Sequence, residues 1–264
     1  MQIRWLTAFL DFGASQFGTE VTYWRAITGS TVSPPRGEHR EFATLEPFSG
    51  DAHLRVQRVQ DGAGGVHLDI HVEDPRAAAI EAGDLGATLV ADHPTHLVYD
   101  SPAGMRFCLV PAVGSPRRAR PIRWPEDTIS IIDQICIDVP ASLFDREVVF
   151  WSQLTGWPTS QRARAEFVAL RRDPALSLGI LLQRLDSAGD SGGGTETDKG
   201  TDTNRGTGQA SAHLDLATTS VDDEVGRHED WGARVVARYP SWTVMADPVG
   251  RYYCITDRNP RTGQ

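Results

Sequence analysis

The apolar positions of this chain fall into two kinds of run that recur in a fixed order. Phe17, Val21, Trp24 and Ile27 are spaced four, three and three apart and are followed by Gly29, so they form one stripe on a helix closed by a C-terminal glycine. Met1 to Phe12, just before, is an apolar strand with Arg4 inside it. The short apolar runs after the helix, ending in Gln57-Arg58, read as hairpin strands. The pattern restarts at His67-Leu68-Asp69, passes Gly86-Ala87 and closes on a hairpin whose turn is Ser101-Pro102-Ala103-Gly104, where Pro and Gly meet the turn geometry.

The whole series then repeats. Phe144, Val148, Trp151, Leu154 and Gly156 restate the helix stripe, Gln183-Arg184 restates Gln57-Arg58, and His213-Leu214-Asp215 restates His67-Leu68-Asp69. Gly232-Ala233 follows, then Pro248, Gly250, Tyr253 and Cys254 answer Pro102, Gly104, Phe107 and Cys108. Each copy therefore holds the order βαβββ twice, which predicts an α+β fold of two tandem copies. A length of 264 residues suits two domains of about 130 residues each. Their expected bounds are 1–113 and 128–258. The intervening 114–127 is a Pro- and Arg-rich, semi-extended linker. Residues from about Asp186 to Gln209 offer no large apolar side chain and have no counterpart in the first copy; they read as a disordered insertion, with a ligand-gating lid as the alternative.

Composition narrows the function. The net charge of −9 disfavours nucleic acid, and the basic cluster Arg117 to Arg123 reads as a solvated part of the linker. No apolar run is long enough to span a membrane, and the amino terminus lacks the plan of a signal peptide, so a cytoplasmic location is expected. Cys108, Cys136 and Cys254 show no CxxC spacing and read as reduced thiols.

The runs LRVQRV, HLDIHVED, LGATLV and YDSPAGMRFCLV, answered by LLQRL, HLDLATTS, WGARVV and MADPVGRYYCIT, resemble the glyoxalase-like group of the vicinal-oxygen-chelate superfamily, which includes glyoxalases, bleomycin-resistance proteins and extradiol dioxygenases. The resemblance implies that each copy pairs its two βαβββ units into one curved mixed sheet. Single-domain relatives commonly dimerise, so it also implies a monomer whose copies form an internal pseudo-dimer. Metal-dependent members of the superfamily place ligands at four stations, usually His or Gln, then Glu, His and Glu. The matching positions are Thr7, Gln57, His67 and Cys108 in the first copy, and Gln134, Gln183, His213 and Cys254 in the second. Only the histidine station is kept, so no obligatory metal or other cofactor is expected. The alternative is a divalent ion in the second copy, softened toward Zn²⁺ by the His and Cys donors.

Strand alternation lists the residues that share the histidine's face. In the first copy they are Arg55, Gln57, His67, Asp69, His71, Arg106 and Cys108; in the second, Gln134, Leu181, Gln183, His213, Asp215, Tyr252 and Cys254. Either the His and Asp satisfy each other within the strand, or the Asp tunes the imidazole as a base. Arg55 and Arg106 would favour an anion in the first cup, whereas Leu181 and Tyr252 make the second more apolar. Trp24 and Trp151 belong to the core, Trp242 could wall a pocket, and the thiols are inert packing. Two functions remain: a glyoxalase-like protein that binds a small molecule without an obligatory metal, with His213 as preferred site, or a metal-dependent lyase, isomerase or dioxygenase.

Overall fold

The structure is a computed structural model that describes residues 1–60, 64–125, 127–162, 164–185 and 208–263. The insertion expected at about 186–209 lies outside the described residues, apart from its last two positions.

Four units with the order βαβββ follow one another. The first is β1 (Ile3–Gly13), α1 (Phe17–Thr28), β2 (Thr31–Val32), β3 (Phe42–Glu46) and β4 (Leu54–Val59); the second is β5 (Gly65–Val72), α2 (Pro75–Asp84), β6 (Thr88–Asp92), β7 (Leu97–Asp100) and β8 (Arg106–Pro111). After β9 (Ile122–Arg123), the third unit is β10 (Ile129–Pro140), α3 (Phe144–Thr155), β11 (Thr159–Gln161), β12 (Phe167–Leu170) and β13 (Gly179–Leu185). The fourth is β14 (Ser211–Thr218), α4 (Val221–Glu229), β15 (Arg234–Arg238), β16 (Trp242–Ala246) and β17 (Tyr252–Thr256). Local chemistry sets the helix ends. Gly29 closes α1 at a φ of 59°, a left-handed value that a side chain resists, and Gly156 does the same for α3 at 70°. Asp74 caps α2 by accepting from the backbone N–H groups of Arg76 and Ala77, with Pro75 in the first turn.

Each copy forms one mixed, curved, open sheet. The strand order is β2-β3-β4-β1-β5-β8-β7-β6 in the first and β11-β12-β13-β10-β14-β17-β16-β15 in the second, with β9 added beside β10. The two long strands that begin the units lie side by side and antiparallel at the centre: Phe9 is opposite His67, and Cys136 is opposite His213. The strand that ends each unit runs parallel to the strand that begins it, which sets Asp138 beside Gln183 and Asp215 beside Cys254. Residues from four strands of one sheet thus share one concave face.

The helix stripes do not stay within their own copies. Trp24 of α1 packs edge-on to Tyr253 of β17 at 5.4 Å, and Trp151 of α3 packs edge-on to Phe107 of β8, also at 5.4 Å. Tyr253 and Phe107 are repeat equivalents, so the two contacts are related as the two copies are. Each indole N–H donates to a buried glutamate one turn back, Trp24 to Glu20 at 3.1 Å and Trp151 to Glu147 at 2.7 Å. Both tryptophans are core, as expected.

The linker is less solvated than its composition suggests. Ala119 is buried, the N–H of Asp51 donates to the carbonyl of Arg117 at 2.8 Å, and Trp124 lies 3.6 Å below the guanidinium of Arg227. Ala119, Ile122 and Trp124 supply the apolar surface that docks it, while Arg117, Arg120 and Arg123 stay exposed as expected.

Candidate functional site

The concave face of the second copy encloses a cavity of about 270 Å³. Its floor is made by Gln134 and Cys136 of β10, Gln183 of β13, His213 and Asp215 of β14 and Cys254 of β17. Phe167, Leu181 and Trp242 are its apolar wall, and Arg162, Arg164 and Arg258 stand at its rim.

One chain of polar contacts orders the floor. His213 Nδ1 lies 2.7 Å from Asp138 Oδ2, which fixes the ring and turns Nε2 toward the cavity. Nε2 is 3.4 Å from Asp215 Oδ1 and 3.5 Å from the Cys254 sulfur. The Gln134 side-chain amide donates to Asp215 Oδ2 at 2.6 Å. A bulge in β10 between Ile132 and Gln134 shifts the register there, so that Gln134 rather than Asp133 pairs with Asp215.

Burial and charge compete at each of these groups. Burial opposes a charge on His213, but the charge and hydrogen bond of Asp138 outweigh it and hold the imidazole pKa well above 6.5. Burial likewise opposes the charge of Asp215, yet the hydrogen bond and charge of His213, with Arg258 and Gln134, keep its carboxyl below the usual range. Burial pushes the Cys136 and Cys254 thiols up, so neither is an activated nucleophile.

The first copy keeps the same pair and loses the open face. His67 Nδ1 lies 2.6 Å from Asp11 Oδ2, and Nε2 is 3.7 Å from Asp69 Oδ1. Phe9, which stands where the second copy has Cys136, stacks on the imidazole at 4.6 Å with planes 10° apart, and Arg55 lies over Phe9 at 5.6 Å. His71 is drawn to Thr7 Oγ1 at 3.0 Å, and burial first, then the charge of Arg55, pushes its pKa down to about 4. Arg106 is bound to Asp100 at 2.5 Å, and Gln57 is the register neighbour of Asp11.

Of the residues expected in the second copy, the structure brings Gln134, Leu181, Gln183, His213, Asp215, Trp242 and Cys254 to the cavity; Tyr252 is not part of its lining. The sequence reading missed Asp11 and Asp138. Both occupy the same place in the repeat, at the offset that relates Phe17 to Phe144, and that signal could have found them. It also missed Cys136, Arg162, Arg164 and Arg258. Apart from Cys136 these come from a loop beside β12 and from the segment after β17, where the repeat has no motif.

The site suits a cation beside Nε2. Asp215 Oδ1 is buried and accepts no hydrogen bond within the cup, although it faces Nε2. Donor atoms of Cys136, His213 and Asp215 converge within 4.8 Å, as do those of His67, Asp69 and Cys108 in the first copy. The expected set is Gln134, Gln183, His213 and Cys254; of these Cys254 also lies 3.5 Å from Nε2, and the Gln134 side-chain amide donates to Asp215. A carboxylate behind a histidine whose second nitrogen faces a cavity is the usual outer support of a bound metal, and a thiol, imidazole and carboxylate set suits a soft ion such as Zn²⁺. The residues therefore fit a divalent ion, and they fit a proton on Nε2 equally.

The chain resembles several solved structures in fold. It superposes on a triple mutant of 4-hydroxymandelate synthase from Streptomyces coelicolor with a TM-score of 0.61 and 13% identity, over 99% of this chain and 95% of that one. The Mn(II)-bound glyoxalase from Novosphingobium aromaticivorans matches with a TM-score of 0.61 and 16% identity, covering 97% and 81%. A 2,2',3-trihydroxybiphenyl 1,2-dioxygenase from Sphingomonas wittichii strain RW1 matches at 0.59 and 15%, covering 97% and 89%. No curated protein sequence is significantly similar. The family model of the glyoxalase-like domain matches twice, over residues 7–110 and 134–256, so the chain belongs to the glyoxalase-like domain family and carries its domain in tandem.

Proposed function

We propose that the second copy is the working one and that it binds a small organic molecule in the cup around His213. The observation that supports this is the cavity of about 270 Å³ opening on Nε2 of an imidazole whose other nitrogen is fixed by Asp138. A concave site with an apolar wall and a few convergent polar groups is the usual form of a small-molecule pocket. In the first copy Phe9 covers the equivalent imidazole face. With a proton on Nε2, His213 donates a hydrogen bond to an oxygen of the ligand, and Asp215 and Gln134 orient the same group. Binding requires no metal in this reading.

The convergence of Cys136, His213 and Asp215 favours a second reading, a metal-dependent enzyme of the superfamily. The ion would be held by these three side chains and would supply Lewis-acid activation of the bound oxygen. Proton and ion compete for one atom, so one titration separates the readings. Adding Zn²⁺ to chelator-treated protein should give saturable binding with proton release if the ion belongs there. Absence of saturable binding in wild type, or binding unchanged in His213→Ala, would reject the metal reading. A ligand screen with the chelator-treated protein tests the first reading: hits weakened by His213→Ala support it, and hits indifferent to that change and to a blocked cup refute it.

We also propose that the chain works as a cytoplasmic monomer. The contacts of Trp24 with Tyr253 and of Trp151 with Phe107 supply between the copies what a dimer interface would supply, and the three free buried thiols suit a reducing compartment. Among the described residues no helix is long and apolar enough to cross a membrane. A light-scattering mass of twice the chain would reject the monomer.

A further inference from the structure

The rim of the second cup carries guanidinium groups, one of which keeps an N–H without an acceptor among the described residues. Arg258 is anchored on its far side, with Nη2 donating to Asp133 Oδ1 at 2.7 Å and Nε to Thr256 Oγ1 at 3.1 Å. Its Nη1 is buried, has no acceptor among the described residues, and belongs to a side chain that lines the cavity. Asp133 Oδ2 accepts no hydrogen bond and faces Arg172 at 3.7 Å, so it leaves Arg258 Nη1 without an acceptor. A buried guanidinium N–H without an acceptor is costly, so a ligand oxygen that reaches it gains more than one bound at the surface.

Arg162 lines the same cavity from the loop between β11 and β12. Among the described residues its guanidinium makes no ion pair. Arg164, by contrast, is spent: it binds Glu166 at 2.5 Å and lies over the Trp242 ring at 5.2 Å. Asp257 also reaches the rim, but it is exposed and makes no ion pair among the described residues, so it does not neutralise either guanidinium.

The rest of the wall is built from apolar side chains. Trp242 is held between Tyr239, stacked at 4.6 Å, and Phe167, edge-on at 5.8 Å, so its ring is fixed before any ligand arrives. Leu181 completes the wall. Where the first copy has Arg55 the second has Leu181, so the two cups distribute charge differently. The cations of the second come from loops rather than from the strand floor, which is why strand alternation alone made this cup look apolar.

We infer that Arg162 and Arg258 form a carboxylate-reading subsite, and that the ligand of the second cup is an organic carboxylate whose planar apolar body lies against Phe167, Leu181 and Trp242. This rests on the reading of that cup as the ligand site. The carboxylate bridges Arg258 Nη1 and the Arg162 guanidinium, while the other end of the molecule points at His213 and Gln134. An amide or alcohol of the same shape can accept a hydrogen bond, but it brings no charge to two guanidinium groups and is discriminated against on that ground.

The test is isothermal titration of the full chain, treated with chelator, with benzoate, benzamide and benzyl alcohol as probes. Benzoate should bind most tightly. Arg162→Gln changes an exposed rim side chain and should weaken benzoate by roughly ten- to a hundredfold while weakening benzamide far less. Arg258→Gln should do the same. Because it also uncovers Asp133 and can disturb folding, Arg162→Lys serves as the second variant, expected to keep charge attraction and lose part of the affinity. Benzoate binding no tighter than benzamide, equal loss of both probes in Arg162→Gln, or no saturable benzoate binding would overturn the subsite. Leu181→Trp fills the cup and separates the two levels. If it abolishes benzamide binding while Arg162→Gln leaves benzoate untouched, the cup stands and the subsite falls. Benzoate binding that survives Leu181→Trp removes both.

Discussion

His213 and Asp138 meet at 2.7 Å with only 4% and 1% of their side chains exposed, whereas His67 and Asp11 make the same contact at 2.6 Å with 11% and 17% exposed. The geometry is shared, and the access of water is not. Removing one member of a buried pair leaves the other charge without compensation and costs about 3–5 kcal/mol. Asp138→Asn should approach that loss and Asp11→Asn should cost clearly less, measured as shifts in urea midpoint. Equal losses would show that burial does not set the strength of these pairs.

Trp151 and Phe107 belong to different copies and touch edge-on at 5.4 Å. Truncating so large a buried side chain, Trp151→Ala, should cost about 3–5 kcal/mol. A double-mutant cycle with Phe107→Leu should return a coupling of about 0.5–1.5 kcal/mol. The same contact predicts one cooperative unfolding transition for the two copies. Additive effects, or two separate transitions, would mean that the sheets are stable independently of the helix contact.

How much of this was legible in the sequence follows from what kind of information each feature needs. The stripe Phe17, Val21, Trp24 and Ile27 and the His-Leu-Asp runs are local patterns stated twice, so the four βαβββ units could be read directly. Asp138 was readable in principle, since Asp11 stands at the same place in the repeat, but it lies in an apolar strand with nothing local to mark it. That Trp24 and Trp151 pack across copies was not legible, because a helix stripe shows that a face is buried and not what buries it. Arg258 and Arg162 were beyond reach for a similar reason. Their meeting at one rim depends on where a loop and a chain segment after the last strand are carried by the sheet, and neither segment has a counterpart motif. Phe9 closing the first cup over His67 is a register effect, visible only once Phe9 and His67 are placed opposite each other.

His53, in the first copy, makes a 2.8 Å hydrogen bond from Nε2 to the carbonyl of Ile132, at the bulge of β10 that sets the register of Gln134. Burial dominates its chemistry and pushes its pKa from 6.5 down to about 4. The folded imidazole stays neutral where the unfolded one takes a proton. This contribution to stability is therefore complete above pH 6.5 and is lost as pH falls toward 4. His53→Gln keeps a donor for the carbonyl and removes the titration. Its urea midpoint should fall less steeply between those two pH values than that of the wild type, by the equivalent of about one proton. An unchanged slope would assign the acid sensitivity to other groups, of which His71 is the first to examine.

Glu20 produces the opposite slope on the alkaline side. Its carboxyl is fully buried between the copies, where Trp24 Nε1 donates to Oε2 while Oε1 and Asp247 Oδ2 each lack a donor in the charged form. A proton on Glu20 supplies that donor between the two carboxyl groups. Burial first, and then the hydrogen bond and charge of Asp247, raise the Glu20 pKa from 4.5 to about 9. The folded chain keeps a proton that the unfolded chain has already released. Stability from this group is therefore full below pH 4.5 and declines steadily as pH rises, until the folded carboxyl ionises near 9. Glu20→Gln carries permanently the donor that the proton provides, and its side-chain oxygen still accepts from Trp24. The variant should be more stable than the wild type at pH 8, and the difference should shrink as the pH is lowered toward 5, followed by urea midpoints across that range. A variant less stable than the wild type at pH 8, or a difference that does not depend on pH, would show that Glu20 is ionised in the folded protein and that Arg251 rather than a proton balances it.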